Sequence, residues 1–121
     1  METTFSGSRN AATMREAQRS GFLVELVYVG VDTPELSIER VRQRVAWGGH
    51  DVPDEDVRRR YFRSLANLAS AFPIVDRVIV YDNSKDAPRR VLEAAKGVVY
   101  WRGTQYPDWV SSLFEPAPRS L

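Results

Sequence analysis

At 121 residues, with 43% hydrophobic and 27% charged residues, the chain is sized for one domain around a single core. A net charge of +1 excludes a global field that would draw nucleic acid or an anionic membrane. The lack of cysteine excludes a disulfide framework and a thiolate metal site.

The charge is asymmetric in kind. Of 17 basic residues, only Lys85 and Lys96 are lysine, and the rest are arginine. Such an excess fits bidentate contacts to anions, and equally a GC-rich genome. The most apolar run, 22–31, is interrupted by Glu25 and is far too short to span a bilayer. The first residues lack the charged-then-apolar pattern of a signal peptide. A cytoplasmic protein with no membrane and no nucleic-acid partner is expected.

In chain order, residues 10–20 read as a helix, with Met14 and Ala17 in its stripe and Gly21 at the left-handed position beyond its end. Residues 22–29 form a near-continuous apolar run, which predicts a strand covered on both faces, as in a parallel α/β sheet. Thr33-Pro34 opens the next helix with a cap and a first-turn proline. That helix carries Ile38, Val41 and Val45 on one side. After Gly48-Gly49-His50-Asp51-Val52-Pro53, Asp54 is expected to cap a helix with the stripe Val57, Tyr61, Leu65, Leu68 and Phe72, ended by Pro73. Residues 76–81 read as a second buried strand. Residues 90–102 read as a β-hairpin around Lys96-Gly97, with a helix over 90–95 as the alternative. A short helix over 107–114 and a frayed tail over 115–121 complete the chain. The order is helix, strand, helix, helix, strand, hairpin, helix.

The basic residues concentrate around the double glycine. Arg40, Arg42, Arg44, Arg58, Arg59, Arg60 and Arg63 flank a turn that holds the single histidine. Glycine gives such a turn backbone freedom, and guanidinium matches phosphate oxygens, which together suit a lid over phosphate. The plainer reading is a solvated, ion-paired helix face. Glu55 reaches Arg59 and Asp56 reaches Arg60 at i, i+4, at about 0.2–0.5 kcal/mol each, and Glu39 stands one turn from Arg42. Arg44 and Arg63 have no local acid, and each has a like charge one turn away. Two guanidinium groups on one anion would offset that cost several-fold. Arg60, Arg63 and Asn67 fall on one helix face by their i, i+3, i+7 spacing.

Other candidates divide between roles. His50 is a hinge or hydrogen-bonding residue, or a contact to substrate, rather than a metal ligand. Asp82-Asn83 follows a buried strand at the end where open α/β sheets bind ligands, and also suits an Asx turn. Trp47, Trp101 and Trp109 are far apart and lack interleaved basic repeats, which favours packing or surface anchoring over a stacking platform.

Five segments carry a resemblance: Glu2-Thr-Thr-Phe-Ser-Gly7, Tyr28-Val-Gly-Val31, Arg44-Val-x-x-Gly-Gly-His-Asp-Val-Pro53, Arg60-Tyr-x-Arg63-Ser-Leu-x-Asn67-Leu68 and Tyr81-Asp-Asn-Ser84. In this order they resemble the downstream half of the zeta-toxin-like P-loop kinases, over residues 2–97. The resemblance implies an α/β fold: a partial P-loop-kinase-like parallel sheet, a helical arginine lid over about 40–68 and a C-terminal β-hairpin, all in one domain spanning 1–121. It implies ATP-dependent phosphotransfer, with Mg²⁺, to a nucleotide-sugar substrate; the toxin-type substrate is UDP-N-acetylglucosamine. It places Arg44, Arg60 and Arg63 in the catalytic lid. It places Glu2 and Thr3 near the sugar substrate and His50 near the lid hinge. With the positional candidates added, His50 and Asn67 join Glu2 and Thr3 as expected substrate contacts, and Arg44, Arg63, Asp82 and Asn83 are the expected nucleotide contacts. No metal ligand is implied in this chain.

The sequence departs from that family at one decisive point. It contains no G-x-x-x-x-G-K-[ST], the cradle, lysine and Mg²⁺-holding hydroxyl on which phosphoryl transfer depends. Met1 falls where such a kinase would finish its third strand, so the chain looks like a kinase without its nucleotide-binding front half. Three readings stay open: a truncated or mis-started kinase, inactive alone and binding ATP and Mg²⁺ at most weakly; one half of a split kinase; or a non-catalytic nucleotide-binding or antitoxin-interaction module. In each, the strand at 22–29 is left with an unpaired edge that calls for an upstream segment, a partner chain or self-association.

Overall fold

The computed structural model describes residues 10–105 and 107–114. Glu2, Thr3 and the tail at 115–121 lie outside them. Eight elements follow one another: α1 (Asn10–Arg19), β1 (Glu25–Gly30), α2 (Pro34–Ala46), α3 (Asp54–Ala71), β2 (Arg77–Asp82), β3 (Arg89–Ala95), β4 (Val98–Arg102) and α4 (Asp108–Phe114). This is the α/β order that the sequence pattern gives.

The strands form one sheet in the order β1-β2-β3-β4. β1 and β2 are parallel, joined through α2 and α3, with Tyr28 opposite Val80. β3 runs antiparallel to β2, and β4 antiparallel to β3. The sheet is therefore mixed rather than parallel. Lys96 (φ 47°) and Gly97 (φ 81°) both adopt the left-handed conformation that a tight two-residue hairpin needs, which excludes a helix over 90–95.

The first strand is shorter than its apolar run. The N–H of Phe22 donates to the Ala17 carbonyl and that of Gly21 (φ 91°) to Gln18, both at 3.0 Å, closing α1 in a Schellman arrangement. Phe22 thus serves the helix end, and pairing starts at Glu25. Asp76 fixes the approach: its Oδ2 accepts from the Val24 N–H at 2.7 Å and from Gln18 Nε2 at 3.2 Å. Both bonds hold its carboxyl below the usual value.

One face of the sheet is covered. Register sets Tyr28, Val80 and Leu92 side by side. They join Leu68 and Ala71 of α3 and Trp109 and Val110 of α4 in one buried cluster. Gly30 lies under the Trp109 ring, where a Cβ would stand 2.5 Å from the indole, so only glycine permits this docking of α4. The opposite face is open. Val27 and Val29 are each 53% exposed, which corrects the expectation of a strand covered on both faces. Among the described strands β1 is terminal, so its outer edge has no partner there.

Helix ends follow their local chemistry with one exception. Thr33 caps α2, its hydroxyl accepting from the Leu36 N–H at 3.2 Å, with Pro34 next. Asp54 does not cap α3. Pro53 occupies the cap position without a side-chain bond, and the Asp54 carboxylate instead pairs with Arg42 of α2. Asp54, Glu55 and Asp56 still sit in the first turn, where negative charge complements the helix dipole.

Candidate functional site

α2 and α3 face each other across a cleft of about 580 Å³, a volume within the usual range for small-molecule sites. Each helix contributes an i, i+3, i+4, i+7 stripe: Ser37, Arg40, Val41 and Arg44 from α2, and Val57, Arg60, Tyr61 and Ser64 from α3. The carboxyl end of β1, Tyr28 to Val31, forms the floor, and Gly49, His50 and Val52 of the connecting loop close one end. This is where a parallel αβ crossover leaves room for a ligand.

The floor is tied down by hydroxyls. Ser64 Oγ donates to the Tyr61 carbonyl at 2.9 Å, so the 2.8 Å contact with Tyr28 is donated by the Tyr28 hydroxyl. Tyr61 donates to the Val31 carbonyl at 2.9 Å. Burial pushes the Tyr28 phenol up. Burial first, then the nearby Tyr28 with which it would share any ionisation and the negative charges of Asp32, Glu35 and Asp82, push Tyr61 up to about 12. Both phenols are therefore neutral donors over the physiological range.

The electrostatics of the rim are one-sided. Among the described residues no aspartate or glutamate lines the cleft. The guanidinium groups of Arg40, Arg44 and Arg60 make no ion pair or hydrogen bond with another described residue. The neighbouring arginines differ. Arg42 pairs with Asp54, Arg59 with Asp56 at 2.5 Å, and Arg58 with Glu35 and Glu55 at 3.8 Å each. The expected pairs were Glu55–Arg59, Asp56–Arg60 and Glu39–Arg42. The observed ones run at i, i+3 within α3 or between the two helices, and they leave Arg60 free to face the cleft.

The sequence candidates divide accordingly. Arg44, Arg60 and His50 come together around one cavity. Arg63 also makes no ion pair among the described residues, but it and Asn67 are not among the cleft-lining residues. Asp82 is 4% exposed and structurally engaged: its Oδ1 accepts from Trp109 Nε1 at 3.0 Å and Ser84 Oγ at 2.7 Å, and its Oδ2 faces Arg89 at 3.6 Å. The Asn83 N–H continues the β1–β2 ladder to the Gly30 carbonyl at 2.8 Å. Sequence reasoning did not single out Arg40, Tyr28, Tyr61 or Ser64 as site residues. Arg40 was detectable, because it is the like-charged i−4 neighbour of Arg44; the hydroxyls were not.

This donor set suits an anion. Guanidinium, imidazole, phenol and backbone groups match phosphate oxygens. Among the described lining residues there is no carboxylate, the side chain that ordinarily anchors Mg²⁺ beside substrate phosphates. Among the described residues no group of three metal-ligating side chains occurs either. No helix of the described residues is long and apolar enough to cross a membrane.

No family model and no solved structure matches the chain. An uncharacterized protein of Haemophilus influenzae is 38% identical to it over 61 residues, which is 50% of this chain and 44% of that relative. The match thus spans less than half of the relative's length.

Proposed function

We propose that this chain is the phosphate-recognising half of a zeta-toxin-like small-molecule kinase, with the α2–α3 hairpin as its lid. In this reading Arg44 and Arg60, assisted by Arg40 and His50, grip the phosphates of a nucleotide or sugar nucleotide. Arg63 and Asn67 then act from the outer side of the lid. The observation that carries the reading is the convergence of three guanidinium groups, with no acid beside them among the described residues, on one cleft at the carboxyl end of a parallel strand. Phosphate there would form charge-assisted bonds worth about 1.5–3 kcal/mol each.

Transfer of a phosphoryl group also needs the Walker cradle and its metal. Neither the sequence nor the donor set of the cleft supplies them. The chain alone therefore binds without turning over, and ATP and Mg²⁺ act only when another polypeptide segment brings the cradle. The absence of carboxylates among the described cleft residues favours a second reading, in which this is a non-catalytic nucleotide-binding or antitoxin-contacting module.

Calorimetry with UDP-N-acetylglucosamine, ATP and inorganic pyrophosphate tests the proposal. Micromolar to sub-millimolar binding that Arg44→Ala and Arg60→Ala each weaken about 10- to 150-fold is expected. Absence of heat at millimolar ligand overturns it. Kinase activity that appears only after adding a P-loop chain would separate the split-kinase reading from the binding-module reading.

A further inference from the structure

Trp47 is 91% exposed, the largest exposure among the exposed large hydrophobic residues described. The other two tryptophans are accounted for: Trp109 is buried on Asp82, and Trp101 lies 4.3 Å beneath Arg90. Trp47 has no such ring or guanidinium partner among the described residues. Its backbone is nevertheless well anchored. The Trp47 N–H donates to the Gln43 and Arg44 carbonyls, at 3.2 and 3.1 Å. The next two residues fold back, Gly48 onto Val45 at 3.0 Å and Gly49 onto Arg44 at 2.8 Å.

The indole borders a second, more open hollow of about 890 Å³, lined with Arg40, Gln43, Arg44 and Gly49. Arg40, Arg44 and Gly49 belong to both hollows, so they form a shared rim. A ligand crossing that rim passes from guanidinium groups to an aromatic face. Gln43 stands one turn before Trp47 in the same hollow and offers an amide with both donors and an acceptor.

We propose that Trp47 stacks on the heteroaromatic ring of a ligand whose phosphates occupy the arginine cleft, and that the ligand class is therefore a nucleotide. This deepens the phosphate reading above and rests on it. The phosphate supplies charge, the indole supplies a π-face that tolerates any base, and Gln43 reads the base edge. Stacking on one aromatic side chain is worth about tenfold or more in affinity.

The test titrates the full chain with inorganic pyrophosphate, UDP and ADP, following calorimetry and tryptophan emission. Both nucleotides are expected to bind at least about tenfold more tightly than pyrophosphate and to quench emission. Trp47→Ala is expected to bring the ratio of nucleotide to pyrophosphate affinity to about one, and Trp47→Phe to retain most of it. Pyrophosphate and nucleotides binding equally, with the ratio unmoved by Trp47→Ala, overturns the stacking site and leaves the phosphate cleft standing. Failure of all three ligands to bind overturns both.

Discussion

The Gly49 N–H donates to the Arg44 carbonyl at 2.8 Å, folding the glycine turn back onto the last turn of α2. This bond fixes Arg44 relative to His50, the two residues that bring the loop end of the cleft together. A Cβ at position 49 would stand 2.9 Å from that carbonyl oxygen, whereas one at Gly48 would meet nothing within 4 Å. Gly48 instead has φ +100°, which a side chain strains. The two substitutions should therefore separate. Gly48→Ala costs about 1–3 kcal/mol through its backbone and shows in thermal melts. Gly49→Ala opens the turn, and its larger effect is expected on pyrophosphate affinity.

Arg44 and Arg60 make no ion pair among the described residues, so removing them should cost little stability. Arg44→Ala and Arg60→Ala are each expected to change stability by less than about 0.5 kcal/mol while weakening phosphate ligands about 10- to 150-fold. Arg58→Ala is the control, since its contacts run to Glu35 and Glu55. Arg63→Ala decides between sequence and geometry. The resemblance groups it with Arg44, whereas its place outside the cleft lining predicts a smaller loss. Calorimetry beside urea melts for the four variants reads both quantities.

The Tyr28–Ser64 contact joins β1 to α3 beneath the cleft. Ser64→Ala removes this bond and the one from Ser64 to the Tyr61 carbonyl, for about 1–3 kcal/mol in total. Tyr28→Phe removes only the first. A double-mutant cycle in urea should return a coupling of about 0.5–1.5 kcal/mol. Additive losses would mean that the two hydroxyls stabilise the fold independently.

Element order was legible because each element announces itself locally. Thr33-Pro34 starts α2, Gly21 ends α1, and Lys96-Gly97 turns the hairpin. What sequence spacing could not show is what lies opposite. Asp54 has the chemistry of a cap, yet the helical hairpin brings Arg42 to it first. Phe22 continues an apolar run, yet its N–H is drawn into the α1 terminus. The two-face pattern of β1 reads as buried, yet helices cover one face alone. Arg44 and Arg63 stood out for lacking a local acid, whereas Arg60 has Asp56 at i−4 and is left to the cleft only because Asp56 pairs with Arg59. The hydroxyl floor emerges only once α2 and α3 are set against β1.

The edge of β1, unpaired among the described strands, and the half-exposed Val27 and Val29 predict association through this strand. Sedimentation of the full chain should show a concentration-dependent dimer or a larger species. Val27→Lys, on the open face, should reduce that association with little change in thermal midpoint, because the side chain is already half in water. A chain that stays monomeric at high concentration would mean that the edge is covered by some other segment.

Acid stability should trace to two carboxylates. On the open face of the sheet, Arg77 donates to Glu93 at 2.5 Å, and Tyr100 donates to the same oxygen at 3.1 Å. The Arg77 bond, with help from Tyr100 and Arg90, holds the Glu93 carboxyl below its ordinary value of 4.5. The Val24 N–H and Gln18 do the same for Asp76, whose ordinary value is 3.8. A depressed folded-state value means that the unfolded chain takes up the proton first as pH falls. The stabilisation is thus complete above the unfolded values and is lost as pH drops below them through the folded ones. Urea midpoints should be level above about pH 5 and decline below it. Glu93→Gln should flatten the upper part of the decline, below 4.5, and Asp76→Asn the part below 3.8. A Glu93→Gln profile parallel to that of the parent chain would show that the Arg77 contact does not distinguish the folded carboxylate from the unfolded one.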